Sequence, residues 1–446
     1  MDALAELAGT LVRDPAAAAR DARAVTSAAR SAGDHALAGR AEIVRGRAML
    51  LLGEIAIAEQ SLAEAIDAAR EAADPELEAE ALLALAAVHS AAGHHDHAFT
   101  ALDAVARLGS PPLVERSVLQ RGVVCRDARR FDEALGLFRS AEAGLRSAGR
   151  DLDLARVLAN SGGILTHQGR IDEAIAALIE AIELLRRDGH EFVALQVVHD
   201  LGCAEGYRGN LSGALALFDE AETGMAALGH DASFPVLSRS EALLRAGLTA
   251  DALAVAAEAA RRLTAEGHGF AALALLTAAE AARLDGDPES ALRYAERATD
   301  DFGAGGTSGW ERAAQLEAIR ARIQLQRLSP ASLATLDQLV DAAVEAGDLR
   351  TQVEARCLHA VVAAELGTPE LGGTHLVTAD RLARQHVLAQ LDMQVGVATA
   401  RHAVARDDLA RARRGLRRAF DAVTLTKQLY GGGESNPGLG AGGRAT

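Results

Sequence analysis

The chain has 446 residues, a net charge of −16 and 49% apolar residues, but only 3% aromatics. That length exceeds what one hydrophobic core serves, so several domains or a repeat array is expected. The acidic balance argues against a nucleic-acid partner, whose phosphates need a basic surface to replace their counterions.

Nine prolines are too few for many short strands, no bounded run of β-branched residues appears, and alanine, the best helix former, fills every stretch. An all-α chain is expected. Only Lys427 among the basic residues is a lysine. Cys125, Cys203 and Cys357 have neither ligand nor disulfide spacing, which suits a reducing compartment. Residues 1–19 lack a continuous apolar core, and no window holds 18 uninterrupted apolar residues. A cytoplasmic location with no membrane partner is the expectation.

Along the chain, a turn-forming residue followed five positions later by alanine recurs at Gly53/Ala58, Gly93/Ala98, Arg129/Ala134, Gly169/Ala174, Gly209/Ala214, Gly247/Ala252 and Gly286/Ala291. Weaker copies begin at Arg13, Arg327, Gly367 and Arg406, and the intervals run between 36 and 41 residues. A second set of breaks falls about 20 residues later, at Gly33, Gly109, Gly149, Gly189, Gly229, Gly267 and Gly347. A glycine just past a helix takes the left-handed conformation that closes the last turn. Each repeat therefore reads as two helices of roughly 15 to 18 residues, whose apolar faces are buried by stacking on neighbouring pairs.

Within the pairs, Gly202, Gly209, Ala214, Phe218 and Ala221 stand at offsets 0, 7, 12, 16 and 19. Gly162, Gly169, Ala174, Leu178 and Ala181 repeat the pattern, as do Gly46, Gly53, Ala58, Leu62 and Ala65, and Gly122, Ala134, Phe138 and Ala141. This spacing resembles the tetratricopeptide repeat, with a period near 40 in place of the common 34 or so. The resemblance implies a right-handed superhelical solenoid of about eleven antiparallel helix pairs. Residues 1–302 would form the first half, 303–309 a glycine-rich connection, 310–426 degenerate repeats and 427–446 a flexible tail. The alanine-rich repeats also resemble the N-terminal arm of actinobacterial proteins that carry a caspase-like CHAT peptidase domain. The segment from Gly415 to Ala422 is similar to the one that leads into that domain. The glycine-rich ending after it departs from that family and reads as a truncated or frame-shifted relative.

No constellation calls for catalysis. His190, His230 and His268 recur with the repeat and are expected at turns. His94, His95, Asp96 and His97 occupy a turn where side chains are expected to diverge without a second ligand set, so no metal is assigned. No histidine–cysteine pairing is apparent within one unit. The stretch 303–309 lacks the remainder of a phosphate loop, so no cofactor is expected. Arg411, Arg413, Arg414, Arg417 and Arg418 read as the solvated outer face of a capping repeat.

The groove is what remains. In tetratricopeptide arrays the first helix of each pair lines it, two and six residues before the first small residue. The resemblance then implies Arg116 and Gln120, Arg156 and Asn160, and Gln196 and Asp200, with His199 beside the last pair. Asn160 matches an asparagine that family members use to hold a peptide backbone or carboxylate, although the basic partners of that clamp are replaced by Phe234 and Ser238. The expected function is non-catalytic: a scaffold whose groove holds a peptide or helix of a protein partner, its oligomeric state left open. The alternative is a regulatory arm of a CHAT-type peptidase or of a transcriptional regulator whose effector lies elsewhere.

Overall fold

The computed structural model describes most of the chain from Leu4 to Tyr430; residues 1–3, 5–6, 8, 12–13, 266, 305–307, 387–388 and 431–446 are not described. Every described regular element is an α-helix. They are numbered here α1 (Pro15–Ser31), α2 (His35–Leu51), α3 (Ile55–Glu71), α4 (Pro75–Ala91), α5 (His95–Leu108), α6 (Pro111–Asp127), α7 (Phe131–Ser147), α8 (Asp151–His167), α9 (Ile171–Arg187), α10 (Glu191–Arg208) and α11 (Leu211–Ala227). There follow α12 (Ser233–Arg245), α13 (Thr249–Ala265), α14 (Ala271–Leu284), α15 (Pro288–Ala304), α16 (Ser308–Gln324), α17 (Pro330–Glu345), α18 (Leu349–Glu365), α19 (Pro369–His386), α20 (Ala389–Val404) and α21 (Leu409–Tyr430). Even-numbered helices open a pair and odd-numbered ones close it. The first weak repeat, at Arg13, falls on a residue that is not described. Among the described residues no helix is long and apolar enough to cross a membrane.

The chain falls into two compact units. One comprises Met1–His167 with Ala176–Gly189, the other Gln168–Ile175 with His190–Thr446. In each, the helices of a pair pack antiparallel, and first helices of successive pairs also touch, as α2 does α4 and α16 does α18.

The turn residues do what the sequence implies. Gly53, Gly93, Gly169, Gly209, Gly247, Gly286 and Gly367 all have positive φ. Gln326 and Asp407 take that role one residue from the positions expected at Arg327 and Arg406, and Ala73 supplies a second-set break that no glycine marks. Gly109 corrects the expectation. Its φ is −81°, so it is not left-handed. It is small for another reason: a Cβ there would lie 3.0 Å from Leu113 Cβ and from the Val105 carbonyl oxygen. Some helix starts are fixed by side chains, as where Asp74 Oδ1 accepts from Leu77 N at 3.0 Å ahead of Pro75.

The offsets of zero and 16 meet across each pair. A Cβ on Gly122 would fall 2.4 Å from Phe138 Cε1, and one on Gly202 2.7 Å from Phe218 Cε1. Both phenylalanines are buried. The absent side chain on one helix thus makes the socket for the large one on its partner, at native packing density. First helices, enclosed on several sides, bury residues all round: α18 buries Val353, Glu354, Ala355, Cys357 and His359 through Ala363. Two terminal expectations change. The helix α21 runs on to Tyr430, so residues 427–430 of the expected tail are helical, while 431–446 lie outside the described residues. Its face is not uniformly charged either, since Leu409, Leu416 and Phe420 are exposed and Arg418 pairs with Asp380 and Asp392.

Candidate functional site

The sequence-derived groove residues lie nine and thirteen positions before the left-handed residue that ends each first helix. In the first unit, Arg116 and Gln120 are half-buried on α6, and Arg156 and Asn160 are exposed and half-buried on α8. Asn160 is fully engaged within the protein. Its Oδ1 accepts from Arg126 Nη1, and its Nδ2 donates to the Arg156 carbonyl at 2.8 Å. In the second unit Gln196 is exposed on α10, and His199 and Asp200 are half-buried.

His199 is the most constrained of these. One ring nitrogen is 2.8 Å from Ser238 Oγ on α12 and 3.7 Å from Cys203 Sγ, and the other is 3.2 Å from Asp200 Oδ1. Burial opposes its charge, but the hydrogen bonds to Asp200 and Cys203 outweigh it and push the imidazole up to about 10. A histidine–cysteine pairing therefore exists, contrary to the sequence expectation, at positions four apart on one helix, the spacing that puts two side chains on the same face.

Carried past residue 300, the same offsets reach residues that the sequence reading did not name. Counting nine back from Gln326 gives Glu317; thirteen back from Gly367 and Asp407 gives Glu354 and Gln394. These three line a cavity of about 830 Å³ built by first helices α14, α16, α18 and α20. The signal was present in the period, but hidden because the closing residues there include Gln326 and Asp407 instead of glycine.

An ion-pair ladder runs along the cavity wall. Arg283 Nε donates to Glu317 Oε1, whose other oxygen accepts from Arg320 Nη1 at 3.0 Å. Arg320 Nη2 donates to Glu354 Oε2 at 2.7 Å, and Glu354 Oε1 accepts from Arg350 Nε at 2.9 Å and Gln394 Nε2 at 3.1 Å. Glu317 and Glu354 are only 3% and 7% exposed, so these partners replace the hydration that each carboxylate has lost. Burial raises the Glu354 carboxyl, but Arg320, Arg350 and Gln394 more than offset this and hold it below the usual range.

Other groups on the wall are less fully spent. The Glu280 carboxyl is raised by its setting in the recess and by Glu317. Gln394 Oε1 is buried without a hydrogen-bond partner. Arg401 on α20 and Glu280 on α14 both line the cavity, with Leu276, Leu316, Ile323, Val361 and Val397 among its apolar lining. Trp310, the chain's single tryptophan, is 52% exposed on the lining. Cys357 is inert, its thiol pushed up to about 12 by burial and then by Glu354.

The repeat histidines serve turns. His230 stacks on Phe192 with ring centroids 3.8 Å apart, and His268 Nδ1 accepts from Phe270 N at 3.2 Å. The 94–97 cluster does not diverge, however: the His94 and His97 rings are 5.8 Å apart, and His89 and Glu59 supply the further donors that the sequence did not reveal.

Residues 113–187 match the tetratricopeptide repeat family. No curated protein matches the chain in sequence at a significant level. Among solved structures it is similar to a Rap protein complexed with competence and sporulation factor, at 13% identity and TM-score 0.56, over 80% of this chain and 100% of that one. It is also similar to the apo form of the quorum sensor NprR from B. thuringiensis, at 13% identity and TM-score 0.54, over 85% and 97%. A third is the Rap conjugation gene regulator of plasmid pLS20 in complex with the Phr* peptide, at 13% identity and TM-score 0.53, over 78% and 95%. The fold is a tetratricopeptide-like helical repeat.

Proposed function

We propose that the chain is a non-catalytic scaffold that holds a short linear peptide along its first helices, with the cavity between α14 and α20 as the principal seat. The observation that carries this reading is the cavity itself: about 830 Å³ lined by four successive first helices. Pockets of 300 to 1,000 Å³ with an apolar lining and a few placed polar groups are the usual form of a specific binding site.

The chemistry suits a peptide bearing both charges. Glu280 meets a basic group and Arg401 an acidic one, while Trp310 covers an apolar side chain. The ladder between them is already paired, so it holds the walls at fixed spacing and presents little free charge. Arg116, Gln120, Arg156 and Asn160 in the first unit, and Gln196, His199 and Asp200 in the second, belong to this proposal as polar positions on the earlier first helices of each unit. Two of the similar structures are of proteins named as a quorum sensor and a gene regulator, and one holds a peptide. These names also favour a regulatory arm acting on a separate effector as the second reading.

The test is selection from a displayed peptide library on the untagged full-length chain, with binding followed by Trp310 fluorescence. Selected peptides should lose affinity at least tenfold on Glu280→Arg and on Arg401→Glu, both exposed positions. Equal affinity in both variants rejects the cavity as the seat.

A further inference from the structure

We infer that His89, His94 and His97, with Glu59 beside them as the fourth donor, form a divalent-metal site in the first unit whose donor set suits zinc. It is independent of the peptide groove.

The site assembles from two neighbouring helix pairs. Glu59 lies in the first turns of α3; His89 is in the last turn of α4; His94 is the residue that precedes α5; and His97 is in its first turn. The left-handed Gly93, at φ +76°, reverses the chain so that a histidine before the turn faces two after it. One ring nitrogen from each histidine lies within 4.8 Å of the other two. Glu59 Oε1 is 3.1 Å from His89 Nδ1 and 3.8 Å from His94 Nδ1. Metal bonds of 2.0 to 2.1 Å in a tetrahedron put donors about 3.3 Å apart. The three imidazole nitrogens reach that spacing by side-chain rotation, and Glu59, which stands near His89 and His94 but outside the three-histidine group, completes the set by a larger movement.

Ring orientation agrees. The three imidazole planes are inclined to one another by 54°, 61° and 65°. Inclined rings can aim in-plane lone pairs at one point. A second histidine cluster among the described residues shows the contrast. His359 and His375 lie near Asp337 but stack with centroids 3.8 Å apart and planes 4° from parallel. Parallel lone pairs do not converge, and that pair reads as ring packing.

Imidazole nitrogens and a carboxylate oxygen are the donors that zinc takes. His94 and His97 are exposed, so the ion has access, and its binding would clip α3 to the α4–α5 turn.

The experiment is calorimetric titration of the untagged, chelator-stripped full-length chain with zinc chloride, followed by the visible spectrum of the cobalt(II) form. One equivalent should bind with a tetrahedral cobalt spectrum. His89→Gln and His97→Gln should each weaken binding at least tenfold, Glu59→Gln less, and His95→Gln and the His359→Gln/His375→Gln double variant should change nothing. Circular dichroism confirms that each variant folds. Absence of binding, an octahedral cobalt spectrum, or binding lost only in the His359/His375 variant each overturns the assignment.

Discussion

The first helices of the two units carry polar residues at the same repeat positions and put them to different uses. On α6 and α8 these are Arg116, Gln120, Arg156 and Asn160, of which Arg156 is exposed and Asn160 is tied to Arg126 and to its own helix. On α16, α18 and α20 they include Glu317, Glu354 and Gln394, joined into one ladder with Arg283, Arg320 and Arg350. Repeat position tells which way a side chain faces. Whether it is an available contact or a strut depends on its partners and burial, which are properties of neighbouring repeats together.

The largest effect should come from cutting the ladder. In Glu317→Ala, Arg283 and Arg320 lose a shared buried carboxylate, and breaking a buried pair on one side costs about 3–5 kcal/mol. Urea unfolding followed by Trp310 fluorescence should show a midpoint lowered accordingly. A loss below about 1 kcal/mol would mean that the ladder is solvated like a surface pair, and the contrast between the units would dissolve.

Acid should loosen the second unit. His375 has an ordinary value of 6.5 and is held down to about 4 by burial and by His359. Between these values the unfolded chain binds a proton that the native one refuses, so stability rises with pH, by about 1.4 kcal/mol per unit for a full proton. On acidification this contribution is lost progressively from about pH 6.5 down to about 4. Glu354, whose folded carboxyl lies below 4.5, adds a further loss in the same direction as pH falls through its folded value. Urea midpoints at pH 7, 5.5 and 4.5 should fall in that order, and His375→Gln should flatten the part above pH 4.5. An unchanged slope in that variant would remove His375 from the account.

Packing across pairs should be indifferent to which unit it belongs to. Gly122→Ala and Gly202→Ala each place a methyl within 2.7 Å or less of a buried phenylalanine edge. Overpacking of this kind costs about 1–3 kcal/mol, and both substitutions should fall in that range by hydrogen exchange of the affected helices. A cost in only one would show that the units differ in packing as well as in groove chemistry.

The helix pairs and their period were legible because they follow from local chemistry. Glycine past a helix end and a small residue facing a large one sixteen positions later are visible in a string of letters. Gln326 and Asp407 adopt left-handed turns without the residue that advertises them, which hid Glu317 and Gln394, and Ala73 hid a break in the first unit in the same way. The sites were less legible because their partners come from other repeats. Glu59 stands 30 residues from His89, and Arg320 stands 34 from Glu354. The one local pair that was missed, His199 with Cys203, needed only the four-residue helical spacing; its geometry with Ser238 needed the fold.

The smallest effects should come from Arg156→Ala and Gln196→Ala. Both side chains are exposed, and the one ion pair of Arg156, to Asp153, is 4.0 Å long between partly solvated groups. Surface substitutions of this kind stay within about 0.5 kcal/mol in stability, so neither should move a urea midpoint measurably. Their effect on a bound peptide is the sharper measurement, because Arg401, though also exposed, lines the proposed seat and Arg156 does not. Titration of the same selected peptide into the wild-type chain, Arg156→Ala and Arg401→Glu should leave the first two within about threefold of each other, against a tenfold or greater loss in the third. If Arg156→Ala matched the loss in Arg401→Glu, the peptide would bind on the earlier first helices as strongly as at the cavity, and repeat position alone would decide the contact.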